Sequence, residues 1–349
     1  MTAVQLPSAS DAPAVAVPDL PPPRPRAVTA RHSTADRVFV GVARGTGFFV
    51  LAIVSAIGIF LGYQVVPTLR AYGWSFFTTQ AWQPNRNVFG IGAAVVGTVQ
   101  VAAIALVIAF PLAFFTALFI SDWAPPGLRP LLIRLVDLMA AVPSIVFGLW
   151  GLMLIQPHAA HVAHWFSKYL GWLPVFHVRT DVNYPAWNQL PGYSAYQGSA
   201  AMAAIAVSMM VFPMATSVMR EVFALAPAGE KEAALALGGT KWSVARTVVI
   251  PFGRSGIIGG TMLALGRALG ETISVVLILQ TSYEIRWNVL ESGNQTISAL
   301  IAGSYREATP TQLSALLAAG FVLFVMTLVV NTVAGTIVAR GRRAAGTEL

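Results

Sequence analysis

Three absences limit what this 349-residue chain can be. It contains no cysteine, so it has neither a disulfide framework nor a thiolate metal site. Only 10% of its residues are charged, whereas about a quarter are charged in a soluble globular chain. No segment matches the glycine-rich GxxxxGK(S/T) loop that cradles ATP phosphates. With 56% of its residues apolar, we expect an all-α, polytopic membrane protein that does not itself bind ATP.

The N-terminal segment differs in composition from the rest of the chain. Residues 1–36 are rich in proline, alanine and valine and show neither a helical nor a strand period. We expect this segment to be a disordered cytoplasmic tail. The first apolar run begins only at Gly47, too far from the start for the apolar region of a secretory signal, so no cleavage is expected.

Six apolar segments are long enough to cross a bilayer, which takes roughly 20 residues of helix. They cover residues 47–66, 92–120, 130–155, 199–219, 255–279 and 313–339. We therefore expect a transmembrane domain at 37–340 and a short cytoplasmic tail at 341–349. No histidine lies in the six segments, and no motif repeats between the two halves of the chain.

The distribution of basic residues predicts the orientation of these spans. If the spans alternate in direction, six basic residues fall on one side: Arg70, Arg86, Lys168, Arg179, Arg286 and Arg306. Fifteen fall on the other side, which also holds both termini, and Arg267 lies within a span. Because basic residues favour the cytoplasmic side, we expect both termini in the cytoplasm. Membrane orientation also explains the net charge of +8 without nucleic-acid binding.

The longest connection on the outer side, residues 156–198, is rich in tryptophan, tyrosine and histidine. This content is typical of an interfacial belt or a folded cap. His158, His161 and His164 recur every third residue, and two of them on one helical turn are plausible metal ligands. Since no carboxylate lies close in sequence, we favour exposed interfacial histidines over a metal site.

An ion pair is predicted in the third span. Arg134 and Asp137 lie three residues apart and would pair along one helix face, either as a structural pair or as part of a substrate pathway. Pro143 and Gly148 follow them and would kink or thin the helix at mid-membrane. Such a kink suits both a transport cavity and plain helix packing.

The fifth span carries the strongest chemical signal. Arg267 lies about 18 Å along a helix that begins near residue 255, which places its charge at mid-membrane. A charge there costs at least about 2.5–3.5 kcal/mol, so it has to face protein or water, and Glu271 one turn later is the expected partner. Either the two charges only neutralise each other, or Arg267 offers its planar donors to an oxyanion; we favour the second. Two GxxxG steps in the same helix predict close packing against a partner subunit.

The pattern of residues 220–254, the cytoplasmic loop, predicts a small docking module. Acidic residues after Pro227 favour the start of a helix, which Gly238 and the next glycine end. Thr240 then caps a second helix, which has to end before Pro251. Two helices joined by a glycine turn fit either of two roles. The module inserts into a groove of another protein, or it lies on lipid headgroups as an amphipathic hairpin.

The spacing within this module resembles the EAA loop of ABC-importer permeases. The residues at the motif positions are Glu232, Ala233, Ala234, Gly238 and Pro251. Together with VPSIVFGLWG at 142–151 and GRALGET at 266–272, the loop resembles the PstC-type permeases of bacterial phosphate ABC importers over roughly residues 37–340. The resemblance implies a type I ABC-importer permease fold of six spans in the cell inner membrane. It also implies that the EAA loop contacts a cytoplasmic ATPase and that Arg267 and Glu271 lie on the phosphate pathway.

The same resemblance implies a set of partners. These are a PstA-like second permease, a PstB-like ATPase dimer that binds ATP and Mg²⁺, a PstS-like phosphate-binding protein and membrane lipid. The chain itself would be a non-enzymatic subunit that carries phosphate by alternating access.

Three other functions remain open from the residues. A permease for sulfate or another oxyanion fits because Arg267 alone does not choose among tetrahedral anions. An ion-driven secondary transporter would use Asp137 and Glu271 as ion sites, but the absence of a duplicated motif gives it no support. An intramembrane enzyme is disfavoured because the spans hold no histidine to act as a base.

Overall fold

The computed structural model describes residues 34–178 and 195–345. The chain separates into two compact units, Met1–Val54 and Ser55–Leu349. Most of the proposed tail, residues 1–33, lies outside the described residues, as does part of the outer loop, 179–194. The first helix begins at Thr34, within the segment expected to be a tail.

The regular secondary structure of the described residues is helical apart from one small hairpin of strands β1 (Trp82–Gln83) and β2 (Val88–Phe89). The helices are α1 (Thr34–Tyr72), α2 (Ser75–Thr78), α3 (Gly92–Leu118), α4 (Arg129–Ala141), α5 (Ser144–Trp150), α6 (Gln156–Leu170), α7 (Ala200–Ala224), α8 (Ala228–Ala236), α9 (Lys241–Val244), α10 (Ile250–Phe252), α11 (Arg254–Leu269), α12 (Ile273–Ile278), α13 (Ile297–Ser304) and α14 (Pro310–Ala345). Wide π-helical turns at Phe119–Trp123, Gly151–Ile155 and Ala245–Val249 extend α3, α5 and α9.

Five helical segments in the described part of the chain are long and apolar enough to cross a membrane. They are Asp36–Tyr72, Gly92–Trp123, Ser144–Leu170, Ala200–Ala224 and Pro310–Thr336. The pair Lys241–Phe252 and Arg254–Leu269, bent by 69°, makes a sixth if it counts as one span. The prediction of an all-α membrane protein is therefore confirmed, with five to six spans.

The bounds predicted for the third span, 130–155, are wrong. The chain breaks at Pro143, and the candidate span runs instead over Ser144–Leu170. Val142 is extended, with φ −64° and ψ 128°, because a following proline disfavours the helical conformation. The segment expected at the start of the outer loop consequently forms helix α6.

The fifth predicted span, 255–279, is not one continuous helix. Helix α11 ends at Leu269, and α12 begins only at Ile273, after a break at Gly270. The predicted helix end before Pro251 is also wrong. Pro251 lies in α10, which continues the helix Lys241–Phe252 directly after the π-helical turn at Ala245–Val249, and the chain bends at Gly253 instead.

The core is built on the packing of α3 against α7. Ala105, Ala109, Ala113 and Ala117 recur every fourth residue of α3 and are almost completely buried. Small residues at this spacing let two helix backbones approach closely, which is how helices associate where lipid removes the hydrophobic driving force. Helices α3 and α7 therefore form the packed centre on which other helices of this unit lie.

Three of the four glycines in the two GxxxG steps of α11 pack against other helices of the chain. A Cβ on Gly256 would lie 2.5 Å from the Val222 side chain of α7, and one on Gly260 would lie 3.1 Å from the Ala215 carbonyl oxygen. A Cβ on Gly266 would lie 3.3 Å from Asn331 of α14. These glycines hold α11 between α7 and α14.

Candidate coupling surface and charged pathway

The predicted module of helix, glycine turn and helix is present. Helix α8 ends at a turn in which Gly238 has a φ of +83°, a conformation that disfavours any residue with a side chain. The Gly238 N–H donates to the Leu235 carbonyl oxygen at 2.9 Å, which satisfies one of the last carbonyls of α8. Thr240 caps α9 as expected, since its Oγ1 accepts from the Ser243 N–H at 3.2 Å.

The module presents an exposed and partly apolar surface. Glu232 and Ala233 are exposed and Ala234 is half-buried. Beside them, Leu235 and Leu237 are 48% and 90% exposed. No side chain of α8 is fully buried within the chain.

The ends of the module extend this surface. Trp242 of α9 is 51% exposed, and both Pro251 and Phe252 of α10 are exposed. The sequence analysis did not single out Trp242, Leu235 or Leu237, because an apolar residue in a short polar loop carries no periodic signal. Exposed large apolar residues beside an acidic helix are typical of a surface that another protein covers.

Arg267 lies in the last turn of α11 and is exposed. The predicted ion pair with Glu271 is wrong, because no carboxylate lies within 4.0 Å of the Arg267 guanidinium among the residues described. The expected spacing of one helical turn applies only within a continuous helix, and the break at Gly270 separates the two residues.

Glu271 is 8% exposed and serves the start of α12. Its Oε1 accepts from the Ser274 N–H at 3.2 Å, which caps the helix, and a carboxylate is favourable beside the helix N-terminus. The Glu271 carbonyl oxygen accepts from the Ser298 hydroxyl at 2.6 Å. The side chain is therefore tied to α12, and its backbone to α13.

Arg134 and Asp137 are both exposed on α4, which lies ahead of the break at Pro143. The predicted pair between them is wrong as well, since no ion pair involves either residue in the part of the chain that is described. Asp137 Oδ1 instead accepts from the Ser217 hydroxyl of α7 at 3.1 Å. This contact belongs to the packing of α4 against α7.

The glycines of segment 142–151 fit closely against α12. A Cβ on Gly148 would lie 2.7 Å from the Ser274 Cα, and one on Gly151 would collide with the Ile278 side chain. The sequence left open whether Gly148 serves a cavity or packing, and packing is what the structure shows. Helix α5 thus lies directly on the helix that Glu271 caps.

A partly buried polar network, missed by the sequence analysis, holds the segment between α12 and α13. Asn294 Nδ2 donates to Gln100 Oε1 at 2.9 Å, and Gln100 Nε2 donates to the Arg286 carbonyl oxygen at 2.7 Å. Arg286 Nη1 donates to Glu291 Oε1 and to the Ser292 carbonyl oxygen, both at 2.8 Å. The two bonds of Gln100 join residues 194 and 186 positions apart, so no local pattern signals them.

The outer histidines contact other groups of the protein. Nδ1 of His158 lies 2.7 Å from the Leu154 carbonyl oxygen, and Nδ1 of His164 lies 3.1 Å from the Tyr196 hydroxyl. Across 34–178 and 195–345, no group of three or more histidine, cysteine or acidic residues is placed to hold a metal ion.

Comparisons with known proteins identify the family. The model of the family described as binding-protein-dependent transport system inner membrane component matches residues 109–343. The chain is 37% identical over 306 residues to phosphate transport system permease protein PstC 2 of Mycobacterium tuberculosis, which covers 86% of this chain and 91% of that one. It is 36% identical over 323 residues to PstC of Xylella fastidiosa strain 9a5c, which covers 90% and 94%. The chain belongs to the PstC permease family.

As a PstC-family permease, the chain is a non-catalytic inner-membrane component of an ABC transporter. A solved structure is similar in fold: a bacterial alginate ABC transporter in complex with an alginate pentasaccharide-bound periplasmic protein. The TM-score is 0.57 at 16% identity, with 88% of this chain and 95% of that chain covered. The PstC-family chain thus has the fold of an ABC-importer permease, and the matched range includes both the module and Arg267.

Proposed function

We propose that this PstC-family permease carries inorganic phosphate into the cell by alternating access, with energy supplied by a separate ATPase. The observation that carries the proposal is the exposed Arg267 guanidinium without a carboxylate within 4.0 Å in the described chain. A guanidinium that is not neutralised keeps its planar fork of donors for an oxyanion. Glu271 then acts beside it as the residue that fixes the break in the helix.

The depth of Arg267 supports a second permease as partner. Arg267 lies about 20 Å from the start of α11 at a rise of about 1.5 Å per residue. A charge at this depth has to face protein or water because lipid does not solvate it. Since its side chain is exposed in the single chain, a PstA-like permease would cover this face and enclose a pathway between the two subunits.

The exposed surface of 220–254 supports an ATPase as the second partner. Glu232, Ala233, Ala234, Gly238 and Pro251 form the contact with a PstB-like dimer, and Leu237 and Trp242 supply apolar area. This assignment requires the module and both termini to lie in the cytoplasm. ATP and Mg²⁺ belong to the ATPase, and a PstS-like protein delivers phosphate from outside.

Transport follows from differential affinity. ATP binding closes the ATPase dimer, and this closure pulls on the module and opens the permease outward. Phosphate then leaves its binding protein and passes Arg267. Hydrolysis then reverses the motion. Since a ligand shifts an equilibrium only through its differential affinity, ATP has to favour the outward-open assembly. Arg134 and Asp137 lie on α4, packed against α7, and belong to the pathway only if α4 lines it in another state.

Import of sulfate or another oxyanion is the second candidate, because an arginine fork fits any tetrahedral anion. Uptake of labelled phosphate and labelled sulfate into proteoliposomes holding the full complex and its binding protein separates the two. ATP-dependent phosphate uptake supports the proposal. ATP-dependent uptake of sulfate instead would make sulfate the substrate. Uptake that follows an ion gradient without ATP rejects the ABC mechanism in favour of a secondary transporter.

A further inference from the structure

An ion pair ties the coupling module to the transmembrane helices. Lys231 of α8 donates from Nζ to Oδ1 of Asp122, with 2.8 Å between the two atoms. Asp122 belongs to the π-helical turn Phe119–Trp123 that ends α3, and the two residues are 109 positions apart. Only 22% of the lysine side chain and 18% of the aspartate side chain are exposed.

The two sides of α8 have different surroundings. Glu232 and Ala233 are exposed on the surface proposed to meet the ATPase, whereas Lys231 reaches the permease body. Consecutive residues of a helix point in directions about 100° apart, so one helix can present a docking face and be anchored through another. No side chain of α8 is fully buried, and the helix makes no other side-chain hydrogen bond or ion pair to the rest of the described chain.

Asp122 depends on this lysine. Its second carboxylate oxygen, Oδ2, is buried and has no hydrogen-bond partner in the described part of the chain. Removal of one member of a poorly hydrated pair leaves a charge without compensation, which is more harmful than removal of both. The pair is therefore a strong link in the state described, and it ends on the helix that packs along α7.

We propose that Lys231 and Asp122 are positioning residues that transmit the movement of α8 to α3 and so couple ATP hydrolysis to transport. This inference rests on the proposed function, in which α8 docks on the ATPase. The pair makes α8 and the end of α3 move together. Without it, α8 still docks through its exposed face, but its movement is taken up by the short non-helical connections at either end.

The test compares variants of the full complex in proteoliposomes. Lys231→Met and Asp122→Asn break the pair, Lys231→Arg retains it, and the double variant Lys231→Asp with Asp122→Lys reverses it. Arg129→Met is the matched control, because this nearby basic residue makes no ion pair in the described chain. The quantities measured are ATPase retained on the permease, ATP hydrolysis stimulated by the binding protein, and phosphate imported per ATP hydrolysed.

We expect both single variants to retain the ATPase and to lose at least fivefold in phosphate imported per ATP. Lys231→Arg and the reversed pair should recover at least half of the wild-type ratio, and Arg129→Met should match the wild type. An unchanged ratio in Lys231→Met overturns the inference, and so does loss of the ATPase from the complex, which indicates a merely structural role.

The proposed function can fail separately. If the wild-type complex imports no phosphate, the phosphate proposal fails. The role of the Lys231–Asp122 pair is then tested by the ATP hydrolysis that the binding protein stimulates. The coupling role is supported if stimulated ATP hydrolysis falls in both single variants and recovers in the reversed pair. Stimulation equal to that of the wild type in the single variants overturns it.

Discussion

The hydroxyl of Ser274 donates a 2.7 Å hydrogen bond to the carbonyl oxygen of Ser144, 130 positions away. Ser144 begins α5 directly after the break at Pro143, and Ser274 lies in the first turn of α12, after the break at Gly270. Segment 142–151 thus meets α12, which begins directly after segment 266–272, and the contact lies close to both helix breaks. The helix capped by Glu271 is held in place by this contact and by the packing of Gly148.

The fit of Gly148 on α12 gives the first prediction. Gly148→Ala introduces a Cβ 2.7 Å from the Ser274 Cα, so the two helices have to separate, at a cost of about 1–3 kcal/mol. The melting temperature of the purified permease, followed by tryptophan fluorescence, should fall. Gly335→Ala is the control because a Cβ there meets nothing within 4 Å. Equal melting temperatures for the two variants would contradict the packing.

The second prediction concerns Arg267. Arg267→Ala should lower phosphate uptake at least tenfold while the complex is still recovered intact, since its side chain makes no ion pair in the described chain. Arg267→Lys should recover only part of the uptake, because an ammonium lacks the planar fork of a guanidinium. Arg306→Ala, at another exposed arginine, is the control. Normal uptake by Arg267→Ala would remove this residue from the pathway.

Glu271 allows its capping role to be separated from its charge. Glu271→Gln keeps a carbonyl oxygen that can accept from the Ser274 N–H, whereas Glu271→Ala removes the cap at a cost of about 0.5–2 kcal/mol. We expect the alanine variant alone to melt at a lower temperature. Both variants should transport less phosphate if the carboxylate acts beside Arg267. A glutamine variant with full uptake would restrict Glu271 to a structural role.

The glycine turn of the module gives the fourth prediction. Gly238→Ala meets no atom within 4 Å, so its only penalty is the φ of +83°, about 1–2 kcal/mol. The turn should rearrange, and ATPase binding to the permease should weaken in a pull-down of the purified subunits. Gly238→Asn should be milder because asparagine tolerates this conformation. Gly127→Ala, equally open and without a positive φ, should bind the ATPase as the wild type does.

The proposed orientation can be tested directly because the chain has no cysteine of its own. Asn85→Cys lies in the hairpin assigned to the outer side, and Gly127→Cys lies in the loop between α3 and α4, assigned to the cytoplasm. In cells whose outer envelope layers have been removed but whose cell membrane is intact, a membrane-impermeant maleimide should label only Asn85→Cys. After permeabilisation it should label both. The reverse pattern would place the module outside and reject ATPase docking.

Sequence patterns over one or two helical turns determined much of this protein. Composition and apolar run length predicted a helical membrane protein, because a bilayer leaves few alternatives for the backbone. The turn at Gly238 and the cap at Thr240 were also predictable, since each depends on residues at most four positions apart. The motif spacing of the module led to the family.

Tertiary structure decided the contacts between distant segments. Only packing brings Ser274 to Ser144, Lys231 to Asp122 and Asn294 to Gln100, since these pairs are 130, 109 and 194 positions apart. The expected ion pair between Arg267 and Glu271 does not form, because a helix break lies between the two residues. Its spacing of four residues has meaning only in a continuous helix, and the break at Gly270 turns Glu271 onto α12, where it caps that helix. Local spacing determines which residues can meet within a helix, whereas helix breaks and packing decide which ones do.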